Sequence, residues 1–99
     1  MDYRVGLSET ACDDLGAVVR FLAAQSPEAA ARIGHEILDT ALALSVLPHR
    51  GAPVRRRPGL RKLAHRHWLI FYQVNEPARW VEVVRIWDGR QHPATLRLS

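Results

Sequence analysis

Trp68-Leu69-Ile70-Phe71-Tyr72-Gln73-Val74 is the stretch on which the fold turns. Aromatic and β-branched side chains fill it, and a period of two is the only regular pattern it supports, so it reads as a strand buried over much of its length. Asn75-Glu76-Pro77-Ala78-Arg79 supplies a turn, and Trp80-Val81-Glu82-Val83-Val84-Arg85-Ile86-Trp87 reads as the partner strand. On the other side, residues 60–67 alternate as well: Leu60, Lys62, Ala64 and Arg66 against Arg61, Leu63, His65 and His67. Three consecutive strands with short joins make a meander, which needs a cover for its apolar face.

The first half of the chain supplies that cover. Residues 3–7 form a short alternating strand, and Ser8 then starts a helix whose stripe is Ala11, Leu15, Val18 and Leu22. Glu9, Asp13 and Asp14 lie near its positive N-terminal end, where acids are favoured. Ser26 and Pro27 open a second helix with Ala30, Ile33, Ile37, Ala41 and Leu44 on one face, ending around Leu47-Pro48. So short a join predicts an antiparallel helical hairpin. Pro48 to Gly59 reads as a loop, broken by Gly51, Pro53 and Pro58. The expected fold is therefore α+β in the order β-α-α-β-β-β, a helical hairpin on a small, mostly antiparallel sheet, with residues 1–99 as one domain.

Charge divides the chain in two. Residues 1–47 hold seven acids against three arginines, net −4, whereas residues 48–99 hold eleven basic groups against three acids, net +8. Thirteen of the fourteen basic residues are arginine, whose planar fork suits phosphate and carboxylate, and Arg55-Arg56-Arg57 is the densest cluster. This asymmetry predicts an anionic partner for the second half. The single cysteine, Cys12, excludes an intramolecular disulfide and reads as a small apolar filler at the start of a helix. No apolar run approaches the roughly 20 residues of a membrane span, so no membrane partner and a cytoplasmic location are expected. His49, His65 and His67 lack metal-ligand spacing, and neither metal nor cofactor is expected.

Several segments in this order resemble the RelE/ParE superfamily of bacterial toxins. They are Leu7-Ser8 with Asp14-Leu15, Leu47-Pro48 followed by Gly51, Leu60-Arg61-Lys62-Leu63, Ile70-Phe71-Tyr72-Gln73-Val74, and Val84-Arg85-Ile86-Trp87-Asp88-Gly89-Arg90-Gln91. The resemblance implies a growth-inhibiting toxin held in check by a cognate antitoxin in a hetero-oligomer. It also implies one of two targets. RelE-like members cut messenger RNA on the ribosome, where the RNA 2′-hydroxyl attacks its own phosphate and the protein must supply acid, base and cations. ParE-like members poison DNA gyrase by binding it. The closing segment is similar to the ParE branch, in which a histidine is common where Asp88 stands and an Arg-Asp pair where Gln91-His92 stands. These departures, and a single lysine (Lys62), tell against ribonuclease chemistry.

The expected target surface is Arg61, Arg85, Trp87, Asp88 and Arg90. For the alternative, a ribosome-dependent endoribonuclease, the candidates are Arg61, Arg85 and His92. By period two, Arg85 shares a face with Val81, Val83 and Trp87, and its structural alternative is a pair with Glu82 or Asp88. Asp88 before Gly89 suits a turn, and Tyr72 suits the core. An exposed tryptophan among Trp68, Trp80 and Trp87 would mark an interface.

Overall fold

Five strands form one sheet in the order β1-β5-β4-β3-β2: β1 is Arg4–Leu7, β2 Ala52–Pro53, β3 Leu60–His65, β4 Trp68–Asn75 and β5 Trp80–Asp88. The computed structural model describes residues 2–90. Only β1 runs parallel to its neighbour, β5; the other pairs are antiparallel. The two helices, α1 (Glu9–Ala23) and α2 (Pro27–Leu42), cover one face, so the α+β order β-α-α-β-β-β is the observed one with a two-residue strand added.

The caps lie where the sequence places them. Ser8 Oγ accepts from Ala11 N–H at 3.1 Å to cap α1, and Ser26 Oγ accepts from Ala29 N–H at 3.2 Å to cap α2. Gly34 lets the helices close: a Cβ there would lie 3.0 Å from Val19 Cγ2. The stripe of α2 (Ala30, Ile33, Ile37, Ala41) is buried, and Leu44 joins it from the 3-10 turn Ala43–Ser45 that ends the helix earlier than expected. Against them pack Trp68, Ile70 and Tyr72 of β4 and Val81, Val83 and Ile86 of β5. Burying six such side chains at ~1.5–3 kcal/mol each is the main force holding hairpin to sheet.

Three local departures from the expected pattern have physical causes. β3 stops at His65, because Arg66 turns into the left-handed region (φ 57°) and Arg66-His67 forms the two-residue turn into β4. His65 and His67 are thus not neighbours on a strand face. Ala52–Pro53, inside the expected loop, pairs with Arg61 and Lys62, since Pro53 at an edge strand needs no donor. Third, Phe71 pairs with Arg85 but Tyr72 with Val83, so Val84 is an inserted bulge residue. Beyond it the alternation slips by one: Ile86, not Arg85, continues the buried row of Val81 and Val83. Cys12 is exposed rather than a filler, since the buried stripe runs through Ala11 and Val18. Among the described residues, no helix is long and apolar enough to cross a membrane.

The ion cluster between α2 and the β3–β4 turn yields a pH prediction. Glu36 accepts from His65 Nε2 at 2.8 Å and Arg66 Nε at 2.9 Å. The Arg66 guanidinium, then the His65 hydrogen bond, hold its carboxyl down to about 2 from an ordinary 4.5. A carboxylate depressed on folding stabilises the native state above its unfolded value and loses that contribution as pH falls through the folded one. Urea midpoints of the wild type and Glu36→Gln should therefore differ at neutral pH and converge between about pH 4.5 and about pH 2. A gap that widens on acidification would contradict this.

Candidate functional site

The bulge and α1 together build a groove at the open end of β5. β1 covers β5 only through Val83, so the edge beyond it lacks a strand partner. Side chains from the start of α1 take over. Ser8 N–H donates to Val83 O (2.9 Å) and its hydroxyl to Val84 O (3.2 Å). Asp14 Oδ2 then accepts from Ile86 N–H (2.9 Å) and from Arg85 Nε (2.8 Å), and Oδ1 from Arg85 Nη2 (3.1 Å). One carboxylate thus ends the sheet edge and holds a bidentate arginine, with the side chains only 19% (Arg85) and 15% (Asp14) exposed. Arg85 also lies over the Trp87 ring, 5.8 Å from its centroid.

A cavity of about 330 Å³ opens beside this pair, walled by Ala17, Val18 and Phe21 of α1, Trp68 of β4, and Arg85 to Asp88 of β5. Trp68 is buried at its base, Trp87 half-buried, and Phe21 stands 58% exposed on the helix wall. At its end Asp88 Oδ1 accepts from Arg90 N–H (2.9 Å) and Nε (3.1 Å), and Oδ2 from Arg90 Nη2 (3.1 Å). Arg90 holds the Asp88 carboxyl below its ordinary range, so it stays ionised with its lone pairs engaged. Asp88 therefore builds the turn rather than offering a free base.

The structure gathers Arg85, Trp87, Asp88 and Arg90 here but leaves Arg61 out. Arg61 sits on β3, across β4 from Arg85, and its Nη1 donates to His49 O (3.1 Å) and Gly51 O (2.7 Å). Arg85 pairs with Asp14, not with Glu82 or Asp88: the bulge takes it off the row that packs under the helices, and it meets Asp14 at the open edge of β5, while Glu82 accepts from Gln73 at 3.3 Å. Tyr72 is fully buried, its oxygen accepting from Gly51 N–H at 2.8 Å, and burial pushes its pKa up, away from service as a base. Arg55 to Arg57 are exposed in the turn before β3, and Trp80 lies over Gly6, where a Cβ would overlap its indole. His92 and Gln91 lie outside the described residues. Among those described, no three His, Cys, Asp or Glu side chains gather to hold a metal.

Asp14, Phe21 and Trp68 are the site residues that sequence reading missed. A signal existed for two: Asp14 and Phe21 are three and ten positions from Ala11, on the flank of the apolar stripe, where an acid calls for an internal partner.

A family model described as the ParE toxin of type II toxin–antitoxin systems (parDE) matches residues 5–93. The chain belongs to the ParE toxin family. As a toxin of a type II toxin–antitoxin system it shares its fold with solved relatives from both branches of the superfamily. A chain of the RelBE2 toxin–antitoxin complex of Mycobacterium tuberculosis is 24% identical with a TM-score of 0.71, over 89% of this chain and 92% of that one. A chain of the chromosomal ParDE system of P. aeruginosa is 20% identical with a TM-score of 0.73, over 85% and 92%. A doubly substituted E. coli RelE toxin in the free state is 17% identical with a TM-score of 0.67, over 91% and 86%. At these identities the likeness is one of fold. No curated protein sequence matches the toxin.

Proposed function

We propose that this toxin inhibits growth by binding DNA gyrase through the groove between α1 and the end of β5, and that a cognate antitoxin neutralises it in a hetero-oligomer. One observation carries the choice of a binding toxin over a nuclease: Arg61 and Arg85 do not converge. Cleavage of a ribosome-bound message needs cations on one phosphate with an acid and a base beside them. Here Arg85 is held by Asp14 on α1, and Arg61 braces the loop at His49 and Gly51 on the far side of β4. On the sheet face away from the helices, the ionisable side chains of the strands before the bulge are Arg4, Lys62 and Glu82, with no histidine or tyrosine.

The groove itself suits a protein partner. Its aromatic walls and half-exposed Phe21 supply apolar anchors, and the Asp14–Arg85 and Asp88–Arg90 pairs form a polar rim. An antitoxin segment that orders over the same surface would block the toxin by occupancy. The presence of antitoxin complexes among the solved relatives supports that partner. In a gyrase supercoiling assay, Phe21→Ser and Trp87→Ala should each weaken inhibition by about tenfold, a usual loss for an interface anchor. Unchanged inhibition by both folded variants would move the interface elsewhere.

A further inference from the structure

At the opposite end of the sheet a second cleft, about 230 Å³, is lined by His49, Gly59, Leu60, Arg61, Val74 and Glu76. Its polar wall is organised. Glu76 Oε1 lies 3.0 Å from His49 Nε2, and Tyr3 OH donates to both carboxylate oxygens, at 2.9 and 3.1 Å. The cation is less complete. Arg61 uses Nη1 for the carbonyls of His49 and Gly51, but no described residue accepts from its Nε or Nη2 and no described carboxylate lies within ion-pair distance. The exposed loop that bears Arg55, Arg56 and Arg57 ends at Gly59, on the wall of this cleft.

A guanidinium with unused donors beside a carboxylate and an imidazole asks for a ligand of two parts. The fork suits a phosphate oxygen pair. The carboxylate repels an anion but accepts from a hydroxyl, so a bare phosphate leaves half of the wall unmatched. We propose that this cleft binds a phosphate ester carrying a neighbouring hydroxyl, the arrangement found in a ribonucleotide. Arg61 donates to the phosphate, and Glu76, oriented by Tyr3 and His49, accepts a hydrogen bond from the hydroxyl. This binding is independent of the gyrase reading, since it concerns a different end of the sheet.

The test uses the purified full-length toxin and NMR of the His49 ring, assigned against His49→Gln. Adenosine 3′-monophosphate, its 2′-deoxy analogue and inorganic phosphate are titrated separately. The ribonucleotide should give a saturable shift and bind about fivefold more tightly than either of the others, the gain from one added hydrogen bond. Glu76→Met, which keeps the side-chain length but has no acceptor oxygen, should bring the ribonucleotide and deoxynucleotide affinities together without weakening the deoxynucleotide. A purely structural Glu76 would not alter that ratio. No saturable shift with any ligand, or equal binding of the ribonucleotide and inorganic phosphate, would overturn the proposal.

Discussion

Asp14→Ala should destabilise the toxin by about 3 kcal/mol, close to 15 °C in Tm for a chain of this size. The reason is that one carboxylate satisfies two unlike groups. It holds Arg85 in a bidentate pair at 2.8 and 3.1 Å and accepts the edge N–H of Ile86 at 2.9 Å. Truncation takes the bidentate carboxylate away from a largely buried guanidinium, for which losses of 3–5 kcal/mol are usual when a fully buried pair is broken and about 2 is fitting at this exposure. It also strands a backbone donor, worth about 1 kcal/mol. Comparing variants separates the two parts. Asp14→Asn keeps an acceptor for Ile86 N–H but loses the charge and the acceptor that faces Arg85 Nη2. The double variant Asp14→Leu/Arg85→Met replaces the pair by apolar groups and should recover most of the ion-pair share, but not the Ile86 hydrogen bond. Thermal melts monitored by circular dichroism read all of these, and a drop below 1 kcal/mol for Asp14→Ala would show that the pair is ornamental.

Gly51→Ala is expected to cost about 2–3 kcal/mol, although it adds only a methyl group. A Cβ at Gly51 would lie 2.6 Å from Tyr72 Oη, 2.8 Å from Tyr72 Cε1 and 2.8 Å from Lys62 O. Tyr72 is buried with no exposed surface and cannot withdraw, and the Lys62 carbonyl belongs to β3. The methyl must therefore push the loop out, breaking the Gly51 N–H to Tyr72 hydrogen bond (2.8 Å) and the Arg61 bond to Gly51 O (2.7 Å). Tyr72→Phe removes only the acceptor and should cost about 1 kcal/mol. If Gly51→Ala in the Tyr72→Phe background recovers more than half of its own cost, the phenol oxygen is the main obstacle; if it recovers nothing, the Lys62 carbonyl is. Either variant melting with the wild type would refute the packing account.

The architecture was legible because each element states its period clearly. β4 is bounded by turn residues and made of strand formers, and the buried stripe of α2 has four apolar residues, with Leu44 of the following 3-10 turn continuing it. The site was legible only in part. Arg85, Trp87, Asp88 and Arg90 could be named as neighbours in the chain, but their orientation could not, because it depends on the extra residue at Val84. No residue type marks a bulge of this kind, and period-two counting then places Arg85 on the wrong row. The partner of Arg85 lies 71 positions away on a helix, and the acids near the start of that helix have a sufficient local explanation in its dipole. The place of Asp14 on the flank of the apolar stripe hints at an internal partner, but which one becomes visible only when the end of β1 leaves the β5 edge open. His49, Glu76 and Tyr3 come from a loop, a turn and the residue before β1, so their meeting is a matter of topology and has no trace in spacing.

The same geometry links stability to function. The Asp14–Arg85 pair closes the sheet edge and also forms a wall of the groove, so in the proposed mode of binding the partner would meet a preorganised polar rim rather than mobile side chains. Variants that break the pair should lose activity through distortion of the groove, whereas Phe21→Ser should lose it with the fold intact.

The most direct test is DNA gyrase supercoiling in the presence of purified toxin, run beside a cleavage assay on ribosome-bound message. The account predicts that supercoiling stops as toxin approaches the gyrase concentration, that the cognate antitoxin restores it, and that the message stays intact. Cleaved message with gyrase unaffected would contradict it.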